Sequence, residues 1–317
     1  MNEKVRLALR VNELFHDSEG KAYQQKHADI FTGETMRWKK AAEAVLKNYQ
    51  SPFAIMDIGT GTGFVPLTIA GFLSAGETFI CSDISQNMLD VAKQNIAAHE
   101  LKCSFEYLKL NGRDLSHPSE KIAVVTMNSV VHHIPDLTIF FKQVDQLLEP
   151  GGRIMIGHEP NKAFYRNPFL FNLSRLLLAL SSARQFMIAV ARITRINKLF
   201  GRSKPINDAS VNEINRVLKQ EQLISDALSK DEINKLIDYH SPTAGAKPDL
   251  NKGIDIRELT DRYLPGYQLE HLETYNFLGK MTERNALTKR LNRFLSVRFK
   301  QKGAHFFAIL IKTGHAD

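Results

Sequence analysis

The sequence predicts an α/β fold, a doubly wound and mostly parallel sheet that is preceded by helices and interrupted after its fifth strand by a helical insertion. Three observations carry this. From residue 51 to residue 160, short apolar runs alternate with amphipathic ones, the pattern of repeated strand–helix units with right-handed crossovers. A glycine cluster follows the first apolar run directly. After residues 161–252, which read as helix and loop, two strand-like runs return, YQLEHLETYNF (267–277) and HFFAILIKT (305–313).

The elements follow in order. Residues 1–50 read as helical, with an Ala- and Lys-rich stretch at Lys40–Leu46 that Ser51-Pro52 stops. PFAIMDIG is a first strand and FVPLTIAGFL a helix. TFICSD is a second strand, and ISQNMLDVAKQNIAAHE a helix with Met88, Val91, Ala92, Asn95 and Ile96 near one face. CSFEYLKL alternates as a strand does, and IAVVTMNSVV is a fourth. LTIFFKQVDQLL is a helix closed by Glu149-Pro150-Gly151-Gly152, and RIMIGHE is the fifth strand. The expected division is a helical cap over 1–50, an α/β core over 51–160, a helical insertion or lid over 161–252, and completion of the core over 253–317.

Composition excludes several classes. Cys81 and Cys103 are the chain's only cysteines, too few for a disulfide framework or a thiolate zinc site, and they point to a reducing, cytoplasmic setting. The start, MNEKVRLALRVNELF, is broken by charges and lacks the apolar core of a signal peptide. No run of apolar residues is long enough to span a bilayer. The net charge is +8, and its placement matters more than its size: no acid occurs between Glu159 and Asp208. Whatever that basic stretch meets is anionic or neutral.

The strongest motif is Asp57-Ile-Gly59-Thr60-Gly61-Thr-Gly63, set between a strand and a helix. Glycines there allow a tight turn and close approach of a ligand. A dinucleotide site wants G-x-G-x-x-G. This loop is G-x-G-x-G, with an acid two residues ahead that would repel a pyrophosphate and suit a cation such as a sulfonium. Asp83 closes the second strand, where a carboxylate can accept both hydroxyls of a ribose. Capping the following helix is its alternative role.

These residues resemble the class I S-adenosylmethionine-dependent methyltransferases, small-molecule type, over residues 50–160. The resemblance implies a seven-stranded sheet with an antiparallel last strand, and S-adenosylmethionine as cofactor. Asp57, Gly59, Thr60, Gly61 and Gly63 would surround its methionine part, Asp83 would hold the ribose, and Ile84 and Met88 would pack on the adenine. The family's adenine-binding Asp after the third strand is replaced here by Asn111, in Asn111-Gly112-Arg113, with Asp114 as the other candidate. Asn128 and Ser129 would lie beside the cofactor and His132 and His133 would face the reacting centre. Tyr23 would cap the cofactor by resemblance alone. The same segment lacks the Asn/Asp-Pro-Pro-Tyr/Phe of base-amine methyltransferases and no Pro-Cys pair occurs, which argues against a nucleic-acid substrate.

His158-Glu159-Pro160 ends the fifth strand, where Glu159 orients or deprotonates a nucleophile, receives a cationic amine, or pairs with an insertion arginine. Tyr239-His240 sits in a polar loop that either returns over the pocket or is a linker turn. No local cluster suggests a metal. In the insertion, Phe186, Val190, Ile193 and Phe200 fall on one helical face and Arg184, Arg192, Arg195, Lys198 and Arg202 on the other. Over 165–202 this reads as a helix packed on the domain, as an active-site lid, or as a basic helix making peripheral membrane contact. The expected reaction is methyl transfer to an oxygen or nitrogen of a small molecule, a secondary metabolite or an amino-acid-like or lipid-like acceptor, with a histidine as base. Three alternatives stay open: cyclisation of the cofactor's own aminobutyryl group, a non-catalytic binding module, and a nicotinamide oxidoreductase, which the glycine spacing disfavours. Oligomeric state is not legible.

Overall fold

The computed structural model describes residues 2–19, 28–115, 122–192, 208–244, 248–282 and 284–314. Two helices come first, α1 (Glu3–Glu19) and α2 (Ala28–Leu46). The alternating part follows: β1 (Ala54–Ile58), α3 (Phe64–Ile69), β2 (Thr78–Asp83), α4 (Gln86–Ala97), β3 (Ser104–Lys109), β4 (Ile122–Asn128), α5 (Leu137–Leu147) and β5 (Leu148–Pro160). The insertion contributes α6 (Lys162–Tyr165), α7 (Pro168–Arg192), α8 (Asp208–Gln220) and α9 (Lys230–Ile237). The chain closes with α10 (Ile256–Tyr263), β6 (Tyr267–Tyr275), α11 (Ala286–Arg298) and β7 (His305–Lys312).

The seven strands form one sheet in the order β3-β2-β1-β4-β5-β7-β6. Pairing is parallel from β3 through β5, and β7 runs antiparallel to both β5 and β6. The expected fold is therefore present, antiparallel last strand included. The central strands carry apolar residues on both faces because helices cover both faces. Ile55, Phe79 and Val124 pack with α2 and α3 on one side, and Met56, Ile80 and Val125 with α5 and α10 on the other.

Local chemistry sets the helix starts. Ser85 caps α4 by accepting from the Met88 amide (3.1 Å), and Asp136 caps α5 by accepting from Ile139 (3.1 Å). The buried face of α4 is Met88, Leu89, Ala92 and Ile96, with Val91 and Asn95 at its margins. Gly303, ahead of β7, has no room for a side chain: a Cβ there would lie 2.3 Å from the Tyr275 carbonyl oxygen. Gly303→Ala is therefore expected to cost about 3 kcal/mol, seen as a lower denaturant midpoint.

The N-terminal helices are not one unit. α2 joins the core through Trp38, Ala42 and Val45. α1 packs instead with α8 and α9, through Ala8, Val11, Ile214, Leu218 and Ile233. The Asn12 side chain ties the two together, donating to the Ala8 and Leu236 carbonyls at 2.9 Å each. Helix α7 runs to Arg192, but the side chains of the amphipathic faces read across 184–202, and Tyr23, lie outside the described residues. Among the described residues, no helix is long and apolar enough to cross a membrane.

Candidate active site

A cavity of about 360 Å³ opens at the carboxyl ends of β1, β2 and β4, walled on the far side by α1. Ligands of open α/β sheets bind at this edge, and the volume falls in the ordinary range for a ligand pocket.

The glycine loop forms its floor. Gly59, Gly61 and Gly63 have φ of 70°, 54° and 95°, values that side chains resist. A Cβ on Gly59 would also lie 2.5 Å from a Val130 methyl, whereas nothing stands within 4 Å of one on Gly61. The Gly61 amide donates to Asp83 Oδ2 and the Ser85 amide to Asp83 Oδ1, both at 2.8 Å. Asp83 thus holds the two loops together while lining the cavity. Burial raises its pKa to about 6, against the pull of those amides.

Asp57 is placed differently from the sequence expectation. It is fully buried beneath the loop, accepting from Thr60 Oγ1 (2.9 Å) and Thr126 Oγ1 (2.6 Å), and does not form the cavity wall. Its carboxyl shapes the loop from behind and burial pushes its pKa to about 7. Thr60 and Gly63 likewise build the loop without lining the cavity. Ile84, Met88, Gly112, Arg113, Asn128 and Ser129 do line it. Asn111 does not: its Oδ1 accepts from the Arg113 and Asp114 amides (2.7 and 2.8 Å) in a turn of its own.

The two adjacent histidines part company. They sit in a 3-10 turn with their rings in contact, centroids 4.0 Å apart, and differ in what each one meets. His133 lines the cavity. Its Nδ1 donates to the Ile237 carbonyl (2.8 Å), so its lone pair resides on Nε2. Burial, then the neighbouring His132, lower its pKa to about 4. His132 turns inward, with Nδ1 2.8 Å from Glu159 Oε2. Burial opposes its cation, but the Glu159 charge and hydrogen bond outweigh this and raise its pKa.

Glu159 is fully buried and also accepts from the Val130, Val131 and His132 amides at 2.7, 2.8 and 3.1 Å. It fixes the turn and does not reach the cavity. His240 reaches the same turn from outside: its amide donates to the His132 carbonyl (2.8 Å) and its Nε2 to that of Ile134 (3.0 Å). His132, His133 and Asp238 have ligating atoms all within 4.8 Å of one another, a trio the sequence reading had not singled out.

The Glu159 pKa is held below its ordinary 4.5, since His132 and the amides outweigh burial. Its contribution to stability is full above about pH 4.5 and is lost as the pH falls below that value. Glu159→Gln is expected to lower stability at pH 7 by about 3 kcal/mol and to flatten the loss between pH 5 and 3, by thermal unfolding across that range.

The sequence offers the N-terminal helices as a cap and as a candidate for substrate choice, but it does not single out the residues of α1 that line the cavity. Val5, Leu9, Asn12 and His16 line the cavity at spacings of four, three and four, one helical face. The signal was present in that periodicity, but its partner lies far along the chain. Two buried side-chain atoms among the described residues have no hydrogen-bond partner, Asn12 Oδ1 and Thr62 Oγ1. The first belongs to a cavity-lining residue and the second to the glycine loop, away from the cavity lining.

Comparison with known proteins bears directly on this site. Residues 56–156, from within β1 to within β5, match the family model described as a methyltransferase domain. They form a class I S-adenosylmethionine-dependent methyltransferase domain. The ubiquinone/menaquinone biosynthesis C-methyltransferase UbiE of Rhodopseudomonas palustris (strain HaA2) is 26% identical over 148 residues, 46% of this chain and 58% of that one. The demethylmenaquinone methyltransferase of Symbiobacterium thermophilum is 29% identical over 157 residues, 49% of this chain and 61% of that one. The chain thus spans about three fifths of the length of these curated relatives. Among solved structures, the plantazolicin methyltransferase BpumL in complex with SAH aligns over 98% of this chain and 96% of its own, at 14% identity and a TM-score of 0.46. The methyltransferase domain holds the glycine loop, Asp83 and both histidines; α1, α7 and α11 lie outside it.

Proposed function

We propose that this methyltransferase moves the methyl group of S-adenosylmethionine to a small, largely apolar molecule bearing an acidic hydroxyl, with His133 Nε2 as the base. The observation that carries the reading is one cavity, shared by the glycine loop, Asp83 and a histidine whose tautomer a backbone carbonyl fixes.

The cofactor, when bound, supplies an electrophilic methyl on a sulfonium sulfur that departs as a neutral thioether. The residues supply alignment and a proton acceptor. Asp83 accepts the ribose hydroxyls in this reading, while Ile84 and Met88 pack on the adenine. The Gly61 position leaves open backbone for the methionine part. Glu159 and His132 act at one remove, holding the turn that presents His133.

His133 stays neutral well below pH 7, so it is always ready to accept a proton. Burial that makes it neutral also makes it a weak base. A weak base matches a nucleophile that is itself acidic, a phenol or an enol, better than an alcohol or an alkylammonium. Loss of that proton activates the oxygen and also the ring or vinyl carbon conjugated to it. Either acceptor atom agrees with this chemistry, and the UbiE relative is a C-methyltransferase of ubiquinone/menaquinone biosynthesis. Incubation with a phenolic acceptor, followed by product analysis, tests the reading. S-adenosylhomocysteine should appear in step with methylated acceptor. Methylthioadenosine, or turnover of alkylamines alone, would overturn it.

Asn12 has a defined part. Both amide hydrogens are spent on Ala8 and Leu236, so Oδ1 is left to accept. The acceptor's hydroxyl, or a second donor on it, would satisfy that oxygen. Asn12→Leu is expected to raise KM for the acceptor about tenfold while leaving Kd for S-adenosylhomocysteine unchanged, by steady-state kinetics and calorimetry. An unchanged KM would remove Asn12 from the acceptor site.

A further inference from the structure

The sequence has a second acid-free stretch besides the one ending at Asp208: no Asp or Glu occurs from Arg284 to Ala316. The structure brings the two together. α7 belongs to the first and α11 to the second, and both pack into one apolar cluster with Phe171, Phe277, Leu278 and Leu295 at its centre. Phe169 of α7 stacks on Phe299, just past α11, at 5.5 Å between ring centroids.

The outer faces of these helices are unlike the rest of the surface. Eleven large apolar side chains are exposed among the described residues, and seven of them are on α7 and α11. Leu287, Phe294 and Val297 are 75%, 65% and 69% exposed, each more than any large apolar residue elsewhere on the described surface. At about 100° per residue they share one arc of α11 with Arg290, Arg293 and Arg298, turned away from the buried Thr288 and Leu295. Lys300 and Lys302 continue the positive charge beyond the helix and are exposed. On α7, exposed Leu176 stands beside exposed Arg175.

Apolar side chains set among unopposed cations are ill suited to water. They are equally ill suited to a second copy of the same face, which would bring like charges together. They fit a surface that is apolar beneath and anionic above. We propose that α7 and α11 form a docking surface for anionic lipid bilayers, with Phe294 and Val297 entering the headgroup boundary and Arg290 and Arg293 meeting lipid phosphates. Topology makes this placement functional. β5 and β6 both run antiparallel to β7, so α7 after β5 and α11 after β6 hang from the same carboxyl edge of the sheet as the cavity. A docked molecule therefore turns that edge toward the membrane, where apolar acceptors dissolve. The docking surface itself does not rest on the methyl-transfer reading, since binding to vesicles needs neither cofactor nor acceptor.

Cosedimentation of the full chain with phosphatidylcholine vesicles, with and without phosphatidylglycerol, is the test. The chain should sediment with the anionic vesicles and be released by salt. The double variant Arg290→Glu/Arg293→Glu should bind at least about tenfold more weakly. Phe294→Ser/Val297→Ser should also weaken binding, and because these side chains are exposed the thermal midpoint should not fall. Absence of sedimentation, equal binding to neutral vesicles, or variants that sediment as the parent does would each overturn the proposal. So would a concentration-dependent dimer, by light scattering, that the same substitutions dissolve.

Discussion

Replacing His133 with alanine is expected to lower kcat by about 10²- to 10⁴-fold while Kd for S-adenosylhomocysteine stays within about twofold. The effect is large because His133 is the cavity-lining histidine whose tautomer a backbone carbonyl fixes; His16 also lines the cavity, with its ring centroid 5.4 Å from that of His133. The Glu159 oxygens are engaged by three amides and His132, and His240 bonds to a backbone carbonyl. The separation of effects follows from position. His133 stands on the turn after β4, whereas the proposed nucleoside contacts come from the ends of β1 and β2. His133→Gln, which accepts a hydrogen bond but no proton, should resemble alanine. Single-turnover kinetics separate the chemical step from release. Equal loss of kcat and cofactor affinity would assign His133 to the cofactor instead.

The second large effect concerns Asp83. Asp83→Asn keeps the side-chain shape but removes the charge proposed to accept both ribose hydroxyls. It also sets an NH2 against one of the amides of Gly61 and Ser85. Hydrogen bonds to a charged group are worth about 1.5–3 kcal/mol each, so affinity for S-adenosylhomocysteine should fall about 100-fold. The pH dependence follows from the same group. Burial raises its pKa to about 6, so the free protein carries a proton there in mild acid. A ligand whose hydroxyls donate to the carboxylate binds the ionised form. Affinity should therefore rise with pH through about 6 and level off above it, with proton release in the rising part. Asp83→Asn should lose that slope. The sign of the stability effect is the reverse: a carboxyl with a raised pKa makes the folded state less stable as pH climbs from about 4 to 6. Calorimetry in buffers of different ionisation enthalpy reads the proton count.

The fold was legible because its signals are local. TFICSD and IAVVTMN are too apolar to face water on either side, and the glycines between β1 and α3 fit a turn with positive φ. The last two strands showed themselves as β-branched and aromatic runs. What escaped was set by contacts between distant parts of the chain. Asn12 reads as an ordinary polar residue on an amphipathic helix until Leu236 takes one of its hydrogens. Asp57 reads as a carboxylate facing the ligand, because sequence records its distance from the glycines but not the hydroxyls of Thr60 and Thr126 that turn it inward. His132 and His133 are indistinguishable by type and neighbourhood. Only Glu159, 27 residues on, draws one into the interior and leaves the other at the cavity. The α11 face was hidden for another reason. Its arginines and apolar residues alternate in a way that fits either a solvated helix or a docking one, and only the packing of its opposite side decides which residues remain outside.

The account depends on one cavity holding the nucleoside and the acceptor together. A structure of the protein with S-adenosylhomocysteine bound tests this most directly. The ribose hydroxyls should lie on Asp83, the homocysteine part should run over Gly61, and the sulfur should face His133. A nucleoside seated elsewhere, or a sulfur turned away from His133, would contradict the account.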